Sequence, residues 1–151
     1  MLILELWMYG GLLMATLVCA GVYGCGGPTE RVGAVTIWIA WVLSLLLQTH
    51  GPHGPGIWVV LVDIVVLAIF GAVSFKTRRL WTLFAAACQL DAVMSHFAAQ
   101  LTHFQLYSYV VALGLWGGQG MLACLIAGAV GYRRRLKRTS ALKAARSPAA
   151  P

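Results

Sequence analysis

Charged residues are scarce in this chain, and the scarcity decides its class. They make up 10% of 151 residues, against 60% hydrophobic residues and a mean hydropathy of +0.82. A water-soluble domain of this length needs far more charge to cover its surface. A bilayer makes the opposite demand, because Lys, Arg and Asp each cost about 2.5–3.5 kcal/mol at the centre of a span. The chain also lacks a C-x-x-C pair. Its cysteines are Cys19, Cys25, Cys88 and Cys124, and three of them fall inside apolar segments where a free thiol acts as a small hydrophobe, which argues against a disulfide framework. No positively charged stretch precedes the first apolar segment, where the only early charge is Glu5. Val22-Tyr23-Gly24-Cys25 loosely resembles a lipoprotein cleavage site, yet cleavage there would put the later basic loops outside, so the segment reads as a retained span. Finally, G-x-S-x-G, H-E-x-x-H and a phosphate loop are all missing. These absences, with no soluble domain outside the apolar segments, argue against an enzyme.

What is present is ordered by side. All eleven Lys and Arg residues fall on one side of a five-span arrangement. Arg31 lies in the first loop, Lys76, Arg78 and Arg79 in the third, and the other seven in the tail 133–151. The second and fourth loops carry none. Basic residues near span ends are retained in the cytoplasm, so the pattern predicts an N-out, C-in topology. The formal charge of +7 then points to anionic lipid headgroups and not to nucleic acid, at about 1 kcal/mol per basic residue near the surface. Arg78, Arg79, Trp81, Arg133, Arg134 and Arg135 are the expected headgroup anchors.

The expected fold is all-α: an integral membrane bundle with spans at about 6–23, 34–49, 57–75, 80–100 and 106–132. Each suits the roughly 20 residues that cross about 30 Å of hydrocarbon, and helices satisfy the backbone where no water can. Residues 24–33 read as a loop broken by Gly26-Gly27-Pro28, with Glu30-Arg31 as its charge marker, and residues 50–56 read as an outer turn. The transmembrane domain is 1–132. The basic tail 133–151 is expected to begin as a surface helix and to end disordered. The fifth span can bend at Gly117-Gly118-Gln119-Gly120. Its small residues, Gly114, Gly118, Gly120, Cys124 and Gly128, recur at spacings that let helix backbones approach, within the chain or against a partner.

The polar residues inside the spans form a second asymmetry, from mid-depth outward. Asp63 sits in the third span and Gln89, Asp91 and His96 in the fourth. His103 and the loop residues His50 and His53 lie further out. Gln89, His96 and His103 are spaced by seven and share a helix face, which Asp91 does not, lying roughly 140° from His96. Three readings compete for this set. In the first, Asp63, Asp91, Gln89 and His96 are a polar zipper between helices. In the second, Asp63 and Asp91 titrate in a proton or cation pathway. In the third, His50, His53, His96 or His103 hold a metal or a haem, although His50-x-x-His53 lacks the rigid spacing of a structural zinc site.

From Asp63 onward the chain resembles a group of small, uncharacterised polytopic membrane proteins of alphaproteobacteria. The residues that carry the likeness are an Asp-bearing span, Arg78-Arg79-Leu80-Trp81-Thr82-Leu83-Phe84, Gln89-Leu90 and His96. Thr82 departs from the pattern, which has proline there. The resemblance covers the central third of the chain, implies membrane placement, and brings no activity with it. It does mark Asp63, Arg79, Trp81, Gln89 and His96 as one candidate set. The expectation is therefore a non-enzymatic protein of the bacterial inner membrane, an accessory or assembly subunit packed among other membrane subunits. The alternatives are a small proton- or metal-cation transporter and a haem- or metal-binding membrane protein. No particular cofactor follows from the sequence.

Overall fold

The computed structural model describes residues 2–48, 56–101 and 113–146. Among them there is no strand, and nearly every residue is helical. The helices are α1 (Leu2–Cys25), α2 (Pro28–Leu47), α3 (Ile57–Thr77), α4 (Leu80–Leu101) and α5 (Met121–Arg146), the last preceded by a π-helical segment, Leu113–Gly120. Three stretches are long and apolar enough to cross a membrane: Pro28–Leu47, Ile57–Thr77 and Gly114–Ala145. The apolar stretch Tyr9–Cys25 is shorter. α4 carries Gln89, Asp91 and His96 through its middle.

The connections at one end are only two residues long, and local chemistry explains each. α2 starts at Pro28, earlier than the expected start near residue 34. Gly27 is its extended N-cap (φ −79°, ψ −179°) and Pro28 follows, whose fixed φ and missing N–H suit the first helical turn. The expected loop 24–33 thus shrinks to Gly26 and Gly27, and Glu30 becomes a first-turn residue of α2. Neither glycine has room for a side chain. A Cβ on Gly26 would lie 2.7 Å from the Val22 carbonyl oxygen, and one on Gly27 would lie 2.6 Å from the Tyr132 ring. At the other short link, Arg78 caps α3 in the left-handed region (φ 51°) and donates its backbone N–H to the Ser74 carbonyl at 2.9 Å. That residue costs about 1–2 kcal/mol in this conformation and turns the chain straight into α4.

The helices pack in chain order around a ring. α1 contacts α2, α2 contacts α3, α3 contacts α4 and α4 contacts α5, while α5 closes back on α1 and crosses to α2. The shared core takes Ala15, Cys19 and Val22 from α1, Ala34 and Ile37 from α2, Val66 and Phe70 from α3, Trp81 and Ala85 from α4, and Met121, Leu122, Leu125 and Ala129 from α5. Two tryptophans fit glycine slots within it. The Trp81 indole lies between Gly33 of α2 and Gly128 of α5, where an added Cβ would come within 2.9 and 2.8 Å of the ring. Phe70 meets its edge at a centroid distance of 6.2 Å. Trp41 occupies a second slot, bounded by Gly11 of α1 and Gly118 of the π-helical segment.

Because α1–α2 and α3–α4 turn at the same end as Tyr132, the chain's basic residues share that end. Arg31, the Lys76–Arg79 link and Arg133 converge there, and α5 continues without a break through the basic stretch to Arg146. The basic side chains from Arg133 to Lys143 are exposed, and Val130, Arg133, Arg134, Leu136 and Lys137 line a shallow groove on that extension.

Candidate functional site

The carboxylates whose side chains are described, Glu30, Asp63 and Asp91, form the centres of two clusters and one outlier. The first cluster lies at the basic end. Glu30 is 1% exposed, yet it is a carboxylate, so burial demands donors. It gets two for one oxygen: the Arg79 guanidinium hydrogen-bonds Oε1, and Trp81 Nε1–H donates to the same atom at 3.1 Å. The other oxygen, Oε2, has no hydrogen-bond partner among the described residues. It faces the α2 N-cap, where a Cβ on Gly27 would come within 2.8 Å of it. That is the third helical position, from which a Glu side chain turns back toward the cap and the positive end of the helix dipole. Thr82, where the resembled group has proline, is fully buried and donates its hydroxyl to the Arg79 carbonyl at 2.7 Å, which fixes the start of α4.

The second cluster lies midway along α3 and α4. Gln89 Nε2 donates to Asp63 Oδ1 at 2.9 Å and to the Asp63 backbone carbonyl at 3.2 Å. His96 Nε2 lies 2.7 Å from Asp63 Oδ2. Gln89 and His96 are seven residues apart, two helical turns, so both project from α4 toward the same carboxylate. Both are buried, while the Asp63 side chain is 18% exposed. Each carboxylate oxygen therefore has a partner.

Asp91 is the outlier. It is exposed, on the opposite side of α4 from Gln89 and His96, and no described residue donates to its carboxylate. Its backbone carbonyl accepts the Ser95 hydroxyl at 2.8 Å. The expected zipper of Asp63, Gln89, Asp91 and His96 thus comes together in three members and leaves the fourth outside.

The other sequence candidates fall as follows. Arg79 and Trp81, expected at the headgroups, turn toward Glu30, with Arg79 a quarter exposed and Trp81 buried. Arg78, Arg133, Arg134 and Arg135 are exposed. Gly118, Gly120 and Gly128 meet side chains of this same chain, namely Trp41, Cys88 and Trp81. Gly114 is partly buried. His50, His53 and His103 lie outside the described residues, and among the described residues no group of three His, Cys, Asp or Glu side chains could hold a metal ion. All four cysteines are free thiols. Sequence reasoning missed Glu30 as a site residue. The available signal was a lone acid two positions after the proline of a Gly-Gly-Pro helix start, read instead as a loop charge.

No known protein family, no curated protein and no solved structure matches the chain.

Proposed function

We propose that this protein is a small, non-enzymatic, multi-pass subunit of the bacterial inner membrane, with its N-terminus outside and its basic end in the cytoplasm. On this reading it serves as an accessory or assembly subunit of a larger membrane complex. The observation that carries the reading is the contrast among its acids. Donors inside the chain meet one oxygen of Glu30 and both of Asp63, whereas Asp91 faces outward from the middle of α4. A carboxylate in that place suits a protein whose outer surface meets other protein. The shared end of Arg31, Lys76, Arg78, Arg79 and Arg133 supports the orientation, and the exposed cations of α5 suit anionic headgroups. Purification in a mild detergent at native expression level tests the assignment: a stable complex with other membrane subunits is expected, and a lone monomer rejects it.

One observation favours a second reading, a small proton- or metal-cation transporter. The 2.7 Å contact between Asp63 and His96 joins two titratable groups, and the carboxylate retains some exposure. On that reading Asp63→Asn abolishes proton- or metal-dependent flux in proteoliposomes while the protein still folds; unchanged flux removes it. The haem-binding alternative has less support, because His96 already contacts Asp63, and purified protein without a Soret band ends it.

A further inference from the structure

We propose that the α4 face bearing Asp91 seats a transmembrane helix of another subunit, and that this helix presents a Lys or Arg at mid-membrane depth. The inference rests on the accessory-subunit reading and adds the chemistry of the partner. Asp91 is the twelfth residue of α4, about 17 Å along the helix from Leu80 at 1.5 Å per residue. On the five-span reading, that is near the centre of a hydrocarbon core about 30 Å thick. Its neighbours on the outer face are large and apolar: Leu83, Leu90, Met94 and Phe97 are 56, 49, 55 and 45% exposed. A carboxylate on such a face is expensive in lipid, and intramembrane acids pair with a counter-group.

Two features say what kind of group. Ala87, Asp91 and Ser95 lie on one stripe at four-residue spacing, and small side chains there let another helix approach the backbone closely. The Ser95 hydroxyl is committed to the Asp91 backbone carbonyl, so it does not answer the carboxylate. Among the described residues the counter-charge is also missing. The chain's Lys and Arg residues are at positions 31, 76, 78, 79 and 133–146, none of them in α4, all at the shared basic end or in the basic stretch of α5 beyond Tyr132, and His96 is turned to Asp63. A second copy of the chain packed on the same stripe would set Asp91 against Asp91, a like-charge contact that disfavours the ionised form. Charge complementarity thus selects a basic residue from a different chain.

Photo-crosslinking in the full-length protein tests this. A benzophenone amino acid replaces Ala87 or Met94 on the α4 face, or Leu13 on exposed α1 as control, and cross-linked peptides are read by mass spectrometry. The expected result is adducts at Ala87 and Met94 but not at Leu13. They should map to an apolar segment of another protein with Lys or Arg within one helical turn of the cross-link. Asp91→Leu should lower their yield at least tenfold, and Asp91→Glu should restore it. Exchanging the charges, Asp91→Lys here with Asp in place of the partner's basic residue, should recover the complex. Because Asp91 is exposed, the thermal stability of Asp91→Leu in detergent should match the wild type, which separates lost docking from lost folding. Adducts to lipid alone, to a second copy, or to a segment without a basic residue overturn the inference, as does a yield indifferent to Asp91→Leu. If the wild type still co-purifies with a partner in any of these cases, the accessory reading survives; a lone wild-type monomer overturns both.

Discussion

At the basic end, Glu30 meets its donors across two very short turns, and packed rings surround them. Midway along the bundle, Asp63 meets Gln89 and His96 across two helices that simply lie side by side. The first cluster is locked by covalent brevity and shape: Gly26-Gly27 and Arg78-Arg79 leave little slack, and the Trp81 indole that donates to Glu30 also fills the slot between Gly33 and Gly128. The second depends on hydrogen bonds from Gln89 and His96, placed on one face by the seven-residue spacing on α4 and brought to Asp63 by the packing of α3 on α4. The difference is one of redundancy. At the basic end a polar contact and an aromatic core contact are made by the same residue, so each enforces the other; between α3 and α4, which pack closely along their length, the polar contacts are made by Gln89 and His96 and not by a core ring.

Breaking the first cluster should therefore cost most. Trp81→Ala removes a core ring and one of the Glu30 donors, and should destabilise the purified protein by about 3–5 kcal/mol, the range for large aromatic truncations. Unfolding by a denaturing detergent would measure it. Glu30→Leu should cost about 2–3 kcal/mol, less than the roughly 3–5 kcal/mol of a fully buried broken pair, because Arg79 is a quarter exposed and can turn to water. Glu30→Gln keeps an acceptor for Trp81 and should recover part of that loss. Gly128→Ala should cost about 1–3 kcal/mol by overpacking the indole. Gly71→Ala, with nothing within 4 Å of the new Cβ, should be neutral or stabilising by up to about 1 kcal/mol through helix propensity; equal losses at the two glycines would discard the slot. The smallest loss is expected at Asp63→Leu, about 1–2 kcal/mol, since side-chain hydrogen bonds between membrane helices measure about 0.6 kcal/mol on average and up to about 1.7. An Asp63→Leu loss larger than that of Trp81→Ala would reverse the comparison.

Much of the bundle was legible in the chain, and the exceptions are instructive. The helix α3 follows its apolar run closely, a stretch long and apolar enough to cross a bilayer, where the backbone must satisfy itself, and α4 also keeps close to its expected bounds. The start of α2 was misread because Gly-Gly-Pro signals both a break and a helix beginning, and only the position of Pro28 at the first turn distinguishes them. At the candidate site, Gln89 and His96 were placeable on one face by spacing, and Asp91 off it, from helical geometry alone. Their convergence on Asp63 was not, because it depends on how far α3 slides along α4. Arg79 and Trp81 were recognisable as a pair but assigned to the headgroups, the usual place for such residues beside an apolar helix. What turns them inward is Glu30, 49 positions from Arg79 and 51 from Trp81.

By itself the sequence determined an all-helical chain with stretches apolar enough to cross a membrane, and it carried the expectation of sidedness: too few charges for a water-covered surface, long apolar runs, and every basic residue assigned to one side of the expected arrangement. Those properties are sums over local stretches, so no knowledge of contacts is needed to read them. Only the tertiary structure decided which acid is answered and which is not. Glu30, Asp63 and Asp91 are equivalent as isolated carboxylates, and what separates them is the arrangement of neighbouring helices. That arrangement brings Arg79 and Trp81 to the first, Gln89 and His96 to the second, and leaves the third on the outer face of α4.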